Sequence, residues 1–166
     1  MTLTDNDIEQ IAQKAIALFK EGYNCTQSVT GAWAEYYNVP AELIAKISSS
    51  FGGGIGRMRE TCGAACGMFI LAGLETGSTD PKDQAGKGAN YKVVQELAAK
   101  FKECNGSINC GELLGLREIK EDKITHEPQA RNAEYYKKRP CVEMVASATR
   151  IYGRFLAERQ QRGNQD

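Results

Sequence analysis

Thr61-Cys-Gly-Ala-Ala-Cys-Gly-Met-Phe-Ile-Leu-Ala-Gly-Leu74 has thirteen residues after its threonine and no charge among them. At helical spacing Cys62, Cys66, Phe69, Ile70 and Gly73 share one face, while Ala65, Met68 and Ala72 make the other faces apolar. A helix apolar on most sides is a buried one, so the segment predicts a central helix starting near Cys62, with Thr61 as its cap. At seven residues the most apolar run, Met68 to Leu74, is too short to span a bilayer.

Outward from this segment the pattern stays helical. Toward the N-terminus, Ile8, Ile11, Ala12, Ala15, Leu18 and Phe19 form a stripe over residues 5 to 21 that Gly22 ends. Asn24 and Gln27 make a capping box for a helix whose stripe is Cys25, Val29, Ala32, Trp33 and Tyr36. Pro40 opens a short helix from Ala41 to Ile47, followed by the loop Gly52-Gly-Gly-Ile-Gly56. Beyond the central helix, residues 77 to 88 read as an exposed polar loop, and a helix over about 89 to 103 turns Val94, Leu97, Ala98 and Phe101 inward. Asn109 and Glu112 form a second capping box, residues 117 to 139 read as an aperiodic surface excursion, and Pro140 opens a last helix to about 160. That helix carries Cys141, Val145, Ala148, Tyr152 and Phe155 on one stripe. No alternating strand pattern is present, so the expected fold is an all-α, single-domain multi-helix bundle spanning residues 1–166.

Composition narrows the function. Lys plus Arg equals Asp plus Glu at 21 each, which gives no field for nucleic acid or an anionic membrane surface. The basic run Lys137-Lys-Arg-Pro and the tail Arg150 to Arg162 read as solvated helix faces, and the apolar side of the last helix is a candidate homodimer surface. The acidic opening MTLTDNDIEQ is unlike a secretory signal, so a soluble, cytoplasmic protein is expected. In that compartment six cysteines point to metal or redox chemistry rather than to a disulfide framework.

Four of the six fall at or beside a predicted helix start: Cys25, Cys62, Cys110 and Cys141. A helix N-terminus carries unpaired N–H groups and a partial positive charge, which favour thiolate over thiol. Thiolates serve as soft metal ligands or as nucleophiles and redox partners, and both uses need the sulfurs to converge. Neither the paired CxxC of common zinc modules nor the CxxCxxC of bacterial ferredoxins is present. Cys66 lies one turn beyond Cys62 on the same face, as an extra ligand or redox partner or as a packed residue. Cys104, beside Glu103 at a helix end, is in the wrong field for a reactive thiol and reads as structural or surface.

Asn24-Cys25, Phe51-Gly-Gly-Gly-Ile-Gly-Arg57, Thr61-Cys-Gly-Ala-Ala-Cys-Gly67, Cys110-Gly-Glu-Leu-Leu-Gly115 and Cys141 together resemble the C_GCAxxG_C_C family of redox-active proteins, over roughly residues 10 to 155. The resemblance places the four signature cysteines on Cys25, Cys62, Cys110 and Cys141, with Cys66 and Cys104 as additions. A similar domain in split-Soret cytochromes is associated with an iron–sulfur cluster, so the resemblance implies a four-cysteine cluster and electron transfer with a redox partner protein. The absence of CxxCH argues against covalent haem.

Other readings stay open at this level, including whether the chain is an enzyme. A thiol–disulfide or small-molecule reductase would use Cys62, which has a helix start and the nearby Arg57 and Arg59. The same cysteines could hold a structural zinc, or the chain could be a packed interaction module. Arg57 and Arg59 could also meet an anionic substrate, although solvation is the commoner fate of arginine. The glycine loop completes no nucleotide motif, and its glycines read as allowing close backbone approach. His126, the single histidine, sits in polar surroundings and reads as a surface residue.

Overall fold

A computed structural model describes residues 2–116 and 124–164. It contains eight α-helices among these residues: α1 (Asp5–Glu21), α2 (Cys25–Trp33), α3 (Ala41–Ser48), α4 (Gly63–Thr76), α5 (Gln84–Asn105), α6 (Cys110–Leu113), α7 (Ala133–Lys138) and α8 (Cys141–Gly163). The all-α expectation holds. Residues 117–123 of the expected excursion lie outside the described residues.

Local chemistry sets most boundaries. Thr4 and Asp7 close a capping box at the start of α1, and Gly22, at φ 115°, ends it in the left-handed region. Asn24 and Gln27 do the same for α2, as the sequence predicts. Three boundaries differ from expectation. The polar loop is shorter because Asp83 accepts from the Gly86 amide and starts α5 at Gln84. Asn132 caps the short α7 inside the stretch expected to be irregular. Cys62, rather than Thr61, occupies the N-cap of α4.

The core sits where α8 packs on α1, α2, α4 and α5, and where α4 packs on α2 and α5. Phe19, Trp33, Met68, Leu71, Phe101, Val145 and Tyr152 are all buried there. Burial of side chains such as Phe19, Met68 and Leu71 contributes about 1.5–3 kcal/mol each. As expected, α4 is central: Gly63 to Met68 are buried without a break. Its small residues set the distance to α2. A Cβ on Gly67 would lie 2.7 Å from the Cβ of Val29, and one on Gly63 would lie 2.8 Å from the Thr26 hydroxyl. That hydroxyl donates to the Gly63 carbonyl at 2.8 Å. Among the described residues no helix is long and apolar enough to cross a membrane.

Candidate thiol-centred redox site

Cys25, Cys62, Cys110 and Cys141 line a single cavity of about 420 Å³. Each is placed by a different device. Cys25 is the first residue of α2, whose cap is tied down where the Asn24 side-chain amide donates to the Ser49 carbonyl. Cys141 begins α8 directly after Pro140.

Cys62 and Cys110 are brought together by a feature that leaves no periodic trace in the sequence. Thr61 and Asn109 form an isolated antiparallel β-bridge. The Cys62 amide donates to the Ile108 carbonyl at 2.7 Å, and the Cys110 amide donates to the Glu60 carbonyl at 2.6 Å. Asn109 caps α6 by accepting from the Glu112 amide, but the expected box closes differently: Glu112 accepts from the Ser107 hydroxyl instead.

The glycine loop forms one wall of the cavity. Gly53, Gly54 and Gly56 have positive φ, and so do Ile55, Arg57 and Arg59 at 64°, 61° and 62°. Left-handed backbone at residues with a Cβ is strained, and such strain persists only where surrounding structure holds it. At Gly54 the reason for glycine is direct, because a Cβ there would lie 2.6 Å from the Cβ of Cys110. The wall can approach the sulfur only without a side chain.

The four thiols are electrostatically unequal. Cys62 is 5 % exposed, and burial pushes its thiol up to about 12 although the Ala65 and Ala64 amides point toward the sulfur and oppose the rise. Burial also raises Cys110, against the pull of Arg59, whose guanidinium lies 3.7 Å from its sulfur. Cys25 and Cys141 face each other closely enough for one thiol to donate to the other. The Cys25 thiol supplies that hydrogen bond and rises, while Cys141 falls to about 7 with help from Arg139, Arg131 and Arg59. Thus the most easily ionised sulfur is Cys141, not Cys62, because a helix start cannot offset the desolvation that Cys62 suffers.

Cys66 is buried behind the site, where its thiol faces the Thr61 carbonyl at 3.8 Å and burial raises it to about 11; it does not line the cavity. Cys104 is exposed, as expected. His126 is exposed too, but it stands on the cavity's edge. Sequence reasoning missed Arg131, Tyr135 and Arg139, which also line the cavity. Arg131 donates to the Phe19 and Tyr23 carbonyls and stacks on Phe19 and Tyr135 with its guanidinium 4.3 and 4.8 Å from the ring centres. The one available signal was the position of Arg139 immediately before Pro140-Cys141.

The bundle brings four thiols from four helix starts to one guanidinium-lined cavity. The chain belongs to the C_GCAxxG_C_C family, whose model, described as "Putative redox-active protein (C_GCAxxG_C_C)", matches residues 23–155. It is also similar to an "Uncharacterized protein" of Archaeoglobus fulgidus, 29% identical over 152 residues that cover 87% of this chain and 92% of that one. No solved structure matches.

Proposed function

We propose that Cys25, Cys62, Cys110 and Cys141 hold an iron–sulfur cluster through which the protein exchanges electrons with a partner oxidoreductase. The observation that carries this reading is the convergence of four sulfurs on one cavity. Thiolate sets of this kind suit iron–sulfur centres. The cavity of about 420 Å³ has room for a polynuclear centre.

When bound, such a cluster supplies one-electron chemistry. The chain's own residues would hold it and set its field. The Ala64 and Ala65 amides point toward the Cys62 sulfur, and Arg59 toward that of Cys110. Hydrogen bonds and positive charge directed at sulfur stabilise the more negative state and raise the reduction potential. Gly54 keeps the wall free of a side chain beside Cys110.

A second reading is favoured by the facing pair Cys25 and Cys141. The Cys141 thiolate would attack a substrate disulfide and expel one thiolate. Cys25 would then attack the mixed disulfide, releasing the second thiol and leaving a Cys25–Cys141 disulfide for a dithiol reductant to reopen. This assigns the nucleophile to Cys141 in place of the Cys62 expected from sequence.

Anaerobic purification followed by iron and acid-labile sulfide analysis separates the two. Brown protein containing both, and losing both when Cys62 or Cys110 is replaced by Ser, is the expected result. Colourless protein without iron, in which Cys25 and Cys141 cycle between dithiol and disulfide, would reject the cluster and select the second reading.

A further inference from the structure

The cavity carries more positive charge than its thiols need. Arg57, Arg59, Arg131 and Arg139 all line it, no Asp or Glu among the described residues does, and the chain as a whole has balanced charge. Among the described residues none of the four is within ion-pair distance of a carboxylate, although Arg150 and Arg159 elsewhere are. Two of the four have structural partners that account for them. Arg59 faces the Cys110 sulfur, and Arg131 is fixed by the Phe19 and Tyr23 carbonyls and by aromatic rings.

Arg139 also lies over the Tyr135 ring, 5.0 Å from its centre, but it shares a further feature with Arg57. Both brace the segment 125–129: Arg57 donates from one nitrogen to the Thr125 carbonyl, at 2.8 Å, and to the Glu127 carbonyl, and Arg139 donates to the Gln129 side chain. A guanidinium has five N–H donors in a rigid fork, so among the described residues each retains several without a partner. Arg57 is also held at φ 61°, a strained conformation for a residue with a Cβ.

We propose that Arg57 and Arg139 form a binding site for a tetrahedral oxyanion, phosphate or sulfate in type, at the entrance to the cysteine cavity. The anion is the charged group of the substrate or effector that meets the thiol centre, so its functional meaning rests on the redox reading above, while its binding does not. Two guanidinia on one cavity match such a group through charge-assisted hydrogen bonds, and among the described residues no Asp or Glu lines that cavity to compete for them.

The test is calorimetric titration of the full-length, reduced protein with inorganic phosphate and with sulfate, at constant ionic strength set by chloride. Saturable binding at one site is expected, weakened by about tenfold or more in Arg57→Gln and in Arg139→Gln. Arg154→Gln, on the exposed side of α8 and outside the cavity, should leave it unchanged. No saturable binding up to tens of millimolar, or equal binding by wild type and both cavity variants, would overturn the proposal. Circular dichroism and urea unfolding of each variant identify loss of binding through misfolding; if either variant is unfolded, the matching Lys replacement is titrated instead, and full wild-type affinity there, without the fork, counts against the site. Phenyl phosphate distinguishes a free ion from a substituent: binding as tight as phosphate assigns the site to an esterified substrate, and exclusion assigns it to the inorganic ion. Titration of Cys62→Ser, which removes a cluster ligand, keeps the two proposals separable, because anion binding should persist there whether or not the wild type contains iron.

Discussion

Cys141 and Cys62 both stand at helix starts, yet the Cys141 thiol is drawn down to about 7 while burial pushes that of Cys62 up to about 12. The difference lies in what each has besides the helix: Cys141 has the Cys25 thiol and three guanidinia, whereas Cys62 has burial. In metal-free, reduced protein, iodoacetamide should therefore modify Cys141 ahead of the other three cysteines of the cavity, with exposed Cys104 counted separately. Its rate should rise with pH, reach half its maximum near pH 7 and level off above, since only the thiolate reacts. Cys62 should resist modification until the chain unfolds. Peptide mapping after brief alkylation checks the order, and labelling of Cys62 ahead of Cys141 would contradict it. The sequence was informative to the point of naming all four cysteines, because Asn24, Asn109 and Pro140 mark the helix starts beside three of them. It could not rank them, because reactivity depends on Arg131 and Arg139, which reach the cavity from a stretch with no periodicity to read.

The pairing of α2 with α4 rests on absent side chains as much as on present ones. Gly67→Ala would set a Cβ 2.7 Å from that of Val29, and overpacking of this kind costs about 1–3 kcal/mol. Urea unfolding should show that loss, with the far-UV signal of the folded state retained. Val29→Ala alone leaves a cavity and also destabilises, but in the double variant the Val29 Cγ1 that the new methyl would meet at 2.9 Å is gone, while the Cβ contact at 2.7 Å stays. The double variant should be less destabilised than the two single effects summed; strict additivity would mean that the two helices do not meet at this point. This much of α4 was legible, since a helix apolar on all faces and rich in Gly and Ala announces close neighbours. The register of the Thr61–Asn109 bridge was not, because one residue pair produces no alternation.

The bundle is closed where its two ends meet. α1 and α8 pack along each other, and Arg150 holds Glu9 through two hydrogen bonds of 2.8 and 2.9 Å. That bidentate contact holds the Glu9 carboxyl at about 2, well below its ordinary 4.5. A depressed carboxyl stabilises the fold fully above its unfolded value and ceases to do so as pH falls through its folded one. The stability difference between wild type and Glu9→Gln should thus be constant above about pH 5 and shrink between pH 4.5 and 2. Urea midpoints measured across that range test it, and a difference independent of pH would show that the pair does not form in solution. Being exposed, the contact should also weaken with added salt. The central place of α4 followed from its apolar faces, whereas this closure joins opposite ends of the chain and has no local signature.

The isolated bridge between Thr61 and Asn109 also determines when the site can exist. Each of its two short amide bonds joins segments that the packing of α4 on α5 makes neighbours, so the cavity is complete only when those two helices are packed. A centre loaded there would arrive at an already compact chain, and its departure would leave the bundle standing. The amide hydrogens of Cys62 and Cys110 are the natural clock for both events: they should exchange with solvent sooner than those of Leu71 or Val145 in the core, and slow when the cavity is filled.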